Sequence, residues 1–205
     1  MKKMYSLLLI IGLLLLCGCQ SETVDKSVIS PLPESIDINN LNDCTVAVSL
    51  EYGDVFADKS GNYQMKATVY TYDLYDMVDI AGLKVGDTFV RLGEKIEITE
   101  IERLDTGLIH INGGDEKGGF DLYTNENTVY YECGLSDIKA YYELGEVTLP
   151  LHENFVYSDE SDLDAEPILY TAEDLLTEED MFTPHNTKVI IQNGYIVKMI
   201  KSYMP

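Results

Sequence analysis

The side chains able to do chemistry are few, and their spacing is informative mainly for what it excludes. His110, His152 and His185 are the only histidines, and the chain has neither a His-x-x-x-His nor a Cys-x-x-Cys pair, so the ligand spacing of a dedicated zinc site is missing. Oxygen ligands are plentiful. Asp159, Asp162, Asp164 and Glu166 recur every two or three residues in one acidic run, and carboxylates so placed can converge on Ca²⁺. The EF-hand register fails, because counting from Asp162 puts Pro167 where that loop needs glycine, and counting from Asp159 puts Leu163 at its fifth place. A solvated acidic run is expected, with at most a weak Ca²⁺ site. Aromatic surface is carried by tyrosine: the chain has 15 Tyr, 5 Phe and no Trp. Tyr70 and Tyr72 lie close together, and Tyr130 and Tyr131 are adjacent. These four are the candidate ligand contacts, since a rigid ring with a polar tip suits sugar or peptide binding when exposed. At barrel positions the same ring packs while its hydroxyl reaches water.

Nucleophilic chemistry has one weak pointer. Ser136-Asp137-Ile138-Lys139 fits the Ser-x-x-Lys pattern of the penicillin-binding serine enzymes. Neither Ser-Asp-Asn nor Lys-Thr-Gly accompanies it, so Ser136 is read as a helix cap. The glycine-rich stretch 113–119 lacks Gly-Lys-Ser/Thr and carries Asp115 and Glu116, whose charge repels phosphate. With 36 acids, a pair at glycosidase separation is certain to occur and indicates nothing. No catalytic residue is assigned.

The amino terminus is the most specific part of the chain. Lys2 and Lys3 precede an apolar run from Leu7 to Leu16, which has the length of a signal-peptide core and is short of the roughly 20 residues that span a bilayer. It ends in Leu16-Cys17-Gly18-Cys19, which resembles the lipobox of bacterial lipoproteins. The resemblance covers residues 1–20. It implies removal of residues 1–18, a diacylglyceryl group on Cys19, and a protein tethered outside the cytoplasm, because two or three acyl chains hold a membrane firmly where one does not. After such cleavage Cys44 and Cys133 are the remaining candidate thiols. In an oxidising compartment they could close a loop of about 90 residues, stabilising by roughly 4 to 5 kcal/mol. Each also sits on the apolar side of a strand pattern, where a small buried hydrophobe serves equally.

Charge narrows the partners. The formal charge is −22, from 36 Asp plus Glu against 14 Lys plus Arg. Loss of the leader's two lysines makes it −24 over 187 residues. Nucleic acid is excluded as a partner, since phosphate binding needs a cationic patch, and anionic headgroups are disfavoured for the same reason.

Positioning these residues falls to β-strands. Residues 19–42 are polar and turn-rich, with Ser-Pro-Leu-Pro at 30–33, and read as a lipidated terminus followed by a flexible linker. From 43 to 205 the period is two. Cys44 to Tyr52 alternates, Tyr63 to Val69 follows a Ser60-Gly61-Asn62 turn, and a meander runs through 88–112 with a register shift at Glu100 that suggests a β-bulge. Two apolar runs joined by Asn193-Gly194 predict a hairpin with a type I′ turn. Short helical turns are expected at 136–142 and 172–182. The fold class is mainly β: one antiparallel β-barrel or sandwich of about nine or ten short strands with one or two surface helices. The expected function is a lipid-anchored binding or assembly module at the cell envelope, without catalysis. Its alternatives are a calcium-dependent or substrate-capturing module and, third, an envelope polymer or peptide hydrolase. The expected partners are the membrane, through the lipid at Cys19, and an envelope protein or ligand.

Overall fold

The computed structural model describes residues 26–33, 36–124, 128–134 and 138–204; the expected signal segment, Cys19 and Ser136 lie outside them. In chain order the strands are β1 (Val28–Ile29), β2 (Cys44–Ser49), β3 (Val55–Ala57), β4 (Tyr63–Thr71), β5 (Leu74–Asp76), β6 (Thr88–Arg91), β7 (Glu94–Glu97), β8 (Ile101–Arg103), β9 (Ile109–Ile111), β10 (Phe120–Tyr123), β11 (Val129–Cys133), β12 (Tyr142–Glu160), β13 (Ile168–Tyr170), β14 (Thr187–Gln192) and β15 (Tyr195–Ser202). A single α-helix among the described residues, α1 (Met77–Gly82), follows β5.

Five of these strands close a barrel. β2 pairs with β4 and with β14, β14 pairs with β15, and all three pairings are antiparallel. The ring closes because β12, 19 residues long, pairs antiparallel with β4 through Tyr142–Pro150 and then parallel with β15 from Leu151 onward. Numbered within the barrel in chain order, the strands run 1-2-3-5-4-1. The change of partner falls at Pro150, which has no N–H to continue the ladder. Alternation fills the interior: Val46 and Val48, Met65, Ala67 and Val69, and Val189 and Ile191 are all buried. Each of these Val, Ile and Met side chains contributes about 1.5 to 3 kcal/mol of transfer energy, and Ala67 less. The Asn193-Gly194 hairpin forms as expected, with both residues at positive φ.

Between β4 and β12 the chain leaves the barrel and builds a second core, in which Tyr75, Phe89, Ile98, Ile111, Phe120 and Leu122 are buried. It is enclosed by a three-stranded sheet, β1-β6-β7, and a five-stranded one, β5-β11-β10-β9-β8. The shift at Glu100 is thus a change of sheet and not a bulge. The chain passes from β7 in one sheet to β8 in the other, and the Asn112 side chain bridges the gap by accepting from the amides of Thr99 and Glu100 and donating to the Glu97 carbonyl.

Two other expectations are corrected. The described part of segment 19–42 is not a free linker: β1 pairs parallel with β6, Ile29 is buried in the second core, Leu41 in the barrel core, and Ile38 lies against Gly145. Its apolar residues are too few for a period yet suffice to dock an edge. No helix spans 138–142. Gly134 donates to the Ile138 carbonyl and Ala140 to the Glu132 carbonyl, so 138–140 pair back against the end of β11 before β12 begins. At 172–182 a short helical turn does form, the 3₁₀ turn Asp174–Leu176 beside a Thr171–Asp174 capping box. The unanticipated α1 is capped by Asp76, which accepts from the amides of Val78 and Asp79.

Candidate functional site

Where the barrel meets the inserted lobe, a cleft of about 890 Å³ opens, within the range of small-molecule sites. Its barrel wall is a cross-strand row in which Lys188 stands opposite Ala47 and Ala47 opposite Tyr70. The small side chain of Ala47, between a lysine and a tyrosine, leaves the depression. Alternation along β4 carries Tyr70 and Tyr72 to the same side, and Ser49 Oγ donates to the Tyr70 hydroxyl at 3.3 Å. The facing wall comes from Leu32 in the amino-terminal segment and from Leu92-Gly93, the turn between β6 and β7.

Lys139 enters from the return before β12. Its Nζ donates to the Tyr72 hydroxyl at 2.8 Å and lies 4.3 Å from the Tyr72 ring centre and 5.2 Å from that of Tyr131. The rings form an edge-to-face chain: Tyr72 on Tyr131 at 6.2 Å, Tyr72 on Tyr141 at 5.3 Å, and Tyr141 on His185 at 5.6 Å. Burial, with the neighbouring Tyr72, pushes the Tyr141 hydroxyl above its ordinary range, so it stays a neutral donor. Asp73 closes the end of the cleft and ties the lobes together, accepting from the Tyr142 hydroxyl at 3.1 Å, the Leu92 amide at 3.2 Å and the Tyr75 hydroxyl at 3.3 Å. Neither Lys139 nor Lys188 stands in an ion pair among the described residues, whereas Lys26, Lys66, Arg91, Lys198 and Lys201 each hold a carboxylate.

Of the four candidate tyrosines, Tyr70 and Tyr72 line this cleft. Tyr131 is buried beneath Tyr72, against Tyr123. Tyr130, next along β11 and so on the opposite face, packs on the second core. Cys44 and Cys133 are not joined to each other: Cys44 opens β2 in the barrel and Cys133 ends β11 in the other lobe, each filling its own sheet. Cys44 borders the cleft, and burial together with the Asp43 charge raises its pKa, which keeps it a thiol.

In the acidic run two of the four carboxylates hold their own turn. Asp159 accepts from the Ser161 amide and hydroxyl and from the Tyr157 hydroxyl, and Asp162 accepts from the Asp164 amide. These oxygens are therefore spent on the local turn. Among the described residues no three His, Cys, Asp or Glu gather to hold a metal. His110 is paired with Asp121, Nδ1 to Oδ1 at 2.7 Å. Lys139, the lysine of the Ser-x-x-Lys pattern, is engaged by Tyr72.

Sequence reasoning missed Asp73, Lys188 and the use of Tyr141 and Tyr142. The tyrosine pair was visible in the sequence. Nothing local marks Lys188, whose place in the cleft depends on the β14–β2 register. No protein-family model, characterised protein or solved structure matches this chain.

Proposed function

We propose that the protein is a non-catalytic, lipid-anchored capture module of the cell envelope, held to the membrane through Cys19, and that the cleft between its lobes binds a small molecule or peptide end with an apolar body and an anionic group. One observation carries this reading: in a chain of net charge −22, two lysines without carboxylate partners among the described residues line the same tyrosine-walled cleft. The long-range field disfavours anions, so an anion would be bound by contact with Lys139 and Lys188. Its apolar body would lie on Ala47 and the rings of Tyr70 and Tyr72. The Asp73 oxygens already accept three hydrogen bonds and offer little to a competing cation.

Tyrosine emission supplies the test, since no tryptophan masks it. Titration of the full chain in detergent with medium-chain alkyl carboxylates should change the emission saturably, while the matching amides bind at least about tenfold more weakly, because a hydrogen bond to a charged partner is worth about 1.5 to 3 kcal/mol. Lys139→Ala and Lys188→Ala should each weaken the carboxylate by about ten- to a hundredfold. Equal binding of carboxylate and amide would defeat this reading.

A further inference from the structure

A second cleft, independent of the one between the lobes, lies at the seam where β12 changes partner. Along β12 and β15, Leu151 faces Ile196 and the next pair is Val156 with Lys198, so β12 spends five residues where β15 spends two. On the other side of β15, Ile191 faces Ile196 and Ile190 faces Lys198, which leaves Val197 as a surplus residue. Both ladders of β15 are therefore irregular over the same residues, 196–198. Irregularities of this kind bend strands and re-aim side chains, and they concentrate at binding sites. Here they open a cleft of about 1060 Å³.

Its lining is chemically distinct. The lining residues include no Lys or Arg, so nothing there attracts an anion. Gln64 and Gln192 bring side-chain amides, which donate and accept at once, and Asn62 brings a third whose nitrogen already donates to Asp58. Phe155 and Leu151 form a buried apolar floor, and Tyr195 presents a ring that is 45% exposed. His152 Nδ1 accepts from the Asn154 amide at 3.2 Å, which places the ring proton on Nε2 as a fixed donor, and the ring stands edge-on to Tyr195 at 6.1 Å. Glu153 and Glu173 add acceptors from exposed positions at the rim.

We infer that this seam binds a short neutral oligosaccharide. Sugar hydroxyls need partners that both donate and accept, which amides provide, and the C–H face of a pyranose needs an apolar or aromatic surface, which Tyr195 and the floor provide. The cleft's size favours several rings over one. A cation would have to rely on the two exposed glutamates, whose attraction is screened by solvent and salt.

Calorimetric titration of the full chain in detergent with chitotriose and with cellotriose tests the inference, with spermidine as a cationic probe. At least one trisaccharide should bind. Tyr195→Ala should weaken it by about tenfold or more and Tyr195→Phe should retain it, and Gln64→Ala should weaken it severalfold without touching the hairpin. Val78→Ala, exposed on α1, should leave it unchanged. Failure of both trisaccharides to bind, or binding unaffected by Tyr195→Ala and Gln64→Ala, would overturn the inference. So would Tyr195-dependent binding of spermidine alone. None of these outcomes bears on the carboxylate titration of the other cleft.

Discussion

Asp73 offers the sharpest perturbation of the architecture, because one carboxylate reaches the barrel through Tyr142, the second core through Tyr75 and the β6–β7 turn through the Leu92 amide. Asp73→Ala removes all three contacts. Hydrogen bonds to a charged group contribute about 1.5 to 3 kcal/mol each when the partner is left stranded. Here the single Tyr75 hydroxyl proton is shared with the Val90 carbonyl at 3.1 Å, while Leu92 is exposed and Tyr142 lines the open cleft. The loss should therefore fall short of three full bonds, at about 2 to 4 kcal/mol in total. For a chain of this size that is a fall of roughly 5 to 12 °C in Tm. Asp73→Asn keeps an acceptor oxygen and should lose about half as much. Hydrogen exchange read by mass spectrometry should show the loss concentrated in segments 73–76, 90–93 and 140–143, with barrel amides around Met65 and Val189 still protected, and the alkyl carboxylate should bind less tightly. A melting temperature unchanged by Asp73→Ala, or a loss of protection spread evenly over both cores, would refute the idea that this carboxylate joins the lobes.

Three further outcomes are expected. A β-carbon at Gly119 would stand 2.0 Å from the Ile111 carbonyl oxygen and 2.7 Å from that of Asn112. Gly119→Ala should thus cost about 3 kcal/mol or more by forcing backbone apart, with exchange protection lost in β9 and β10 before the barrel; equal protection in both lobes would contradict it. Burial, aided by Asp73 at Tyr75, by Tyr72 at Tyr141 and by Asp159 at Tyr157, raises these three hydroxyls above the ordinary value of 10.0. The folded state keeps protons that the unfolded chain would release, so their contribution is complete below pH 10 and is lost as pH rises through the folded values. Absorbance at the tyrosinate band should show these three hydroxyls ionising only as circular dichroism collapses; their ionisation with the fold intact would refute it. Cys19→Ala should move the protein from membrane to soluble fractions, and unchanged fractionation would remove the lipid tether.

How much of this was legible depended on the range of the interaction involved. The Asn193-Gly194 hairpin was legible because a two-residue type I′ turn demands positive φ at both places and few residue pairs tolerate it. The buried faces of β2 and β4 were legible from alternation. By contrast, β12 was hidden. Gly145 and Pro150 interrupt it, and the apolar beat of Val147, Leu149 and Leu151 is broken again at 152–155, where the strand bulges at the seam. A strand that changes partner midway satisfies two different neighbours, so it has no single local period. The second core was hidden for a related reason. Its sheets alternate like the barrel's, and only long-range pairing separates Phe89 and Phe120 from Met65 and Val189. Tyr72, a ligand-contact candidate from the sequence, lines the interlobe cleft, yet its cationic companion Lys139 comes from 67 residues away.

Net charge can be separated from site chemistry by distance. At physiological salt the Debye length is about 8 Å, so most of the 36 carboxylates are screened from a ligand in either cleft and act mainly on solubility and on the approach of charged molecules. Discrimination then falls to groups within contact range. At the interlobe cleft these are two lysines without carboxylate partners among the described residues, together with tyrosine hydroxyls; at the seam they are amides, an imidazole and an exposed ring. An acidic protein can therefore carry one site suited to anions and another suited to uncharged sugars, provided the few cations are not spent in surface ion pairs. Five of the basic residues are held in ion pairs, among them Arg91 with the buried Glu132. Lys139 is kept from that fate by Tyr72 and Tyr131, whose faces hold the ammonium without neutralising it.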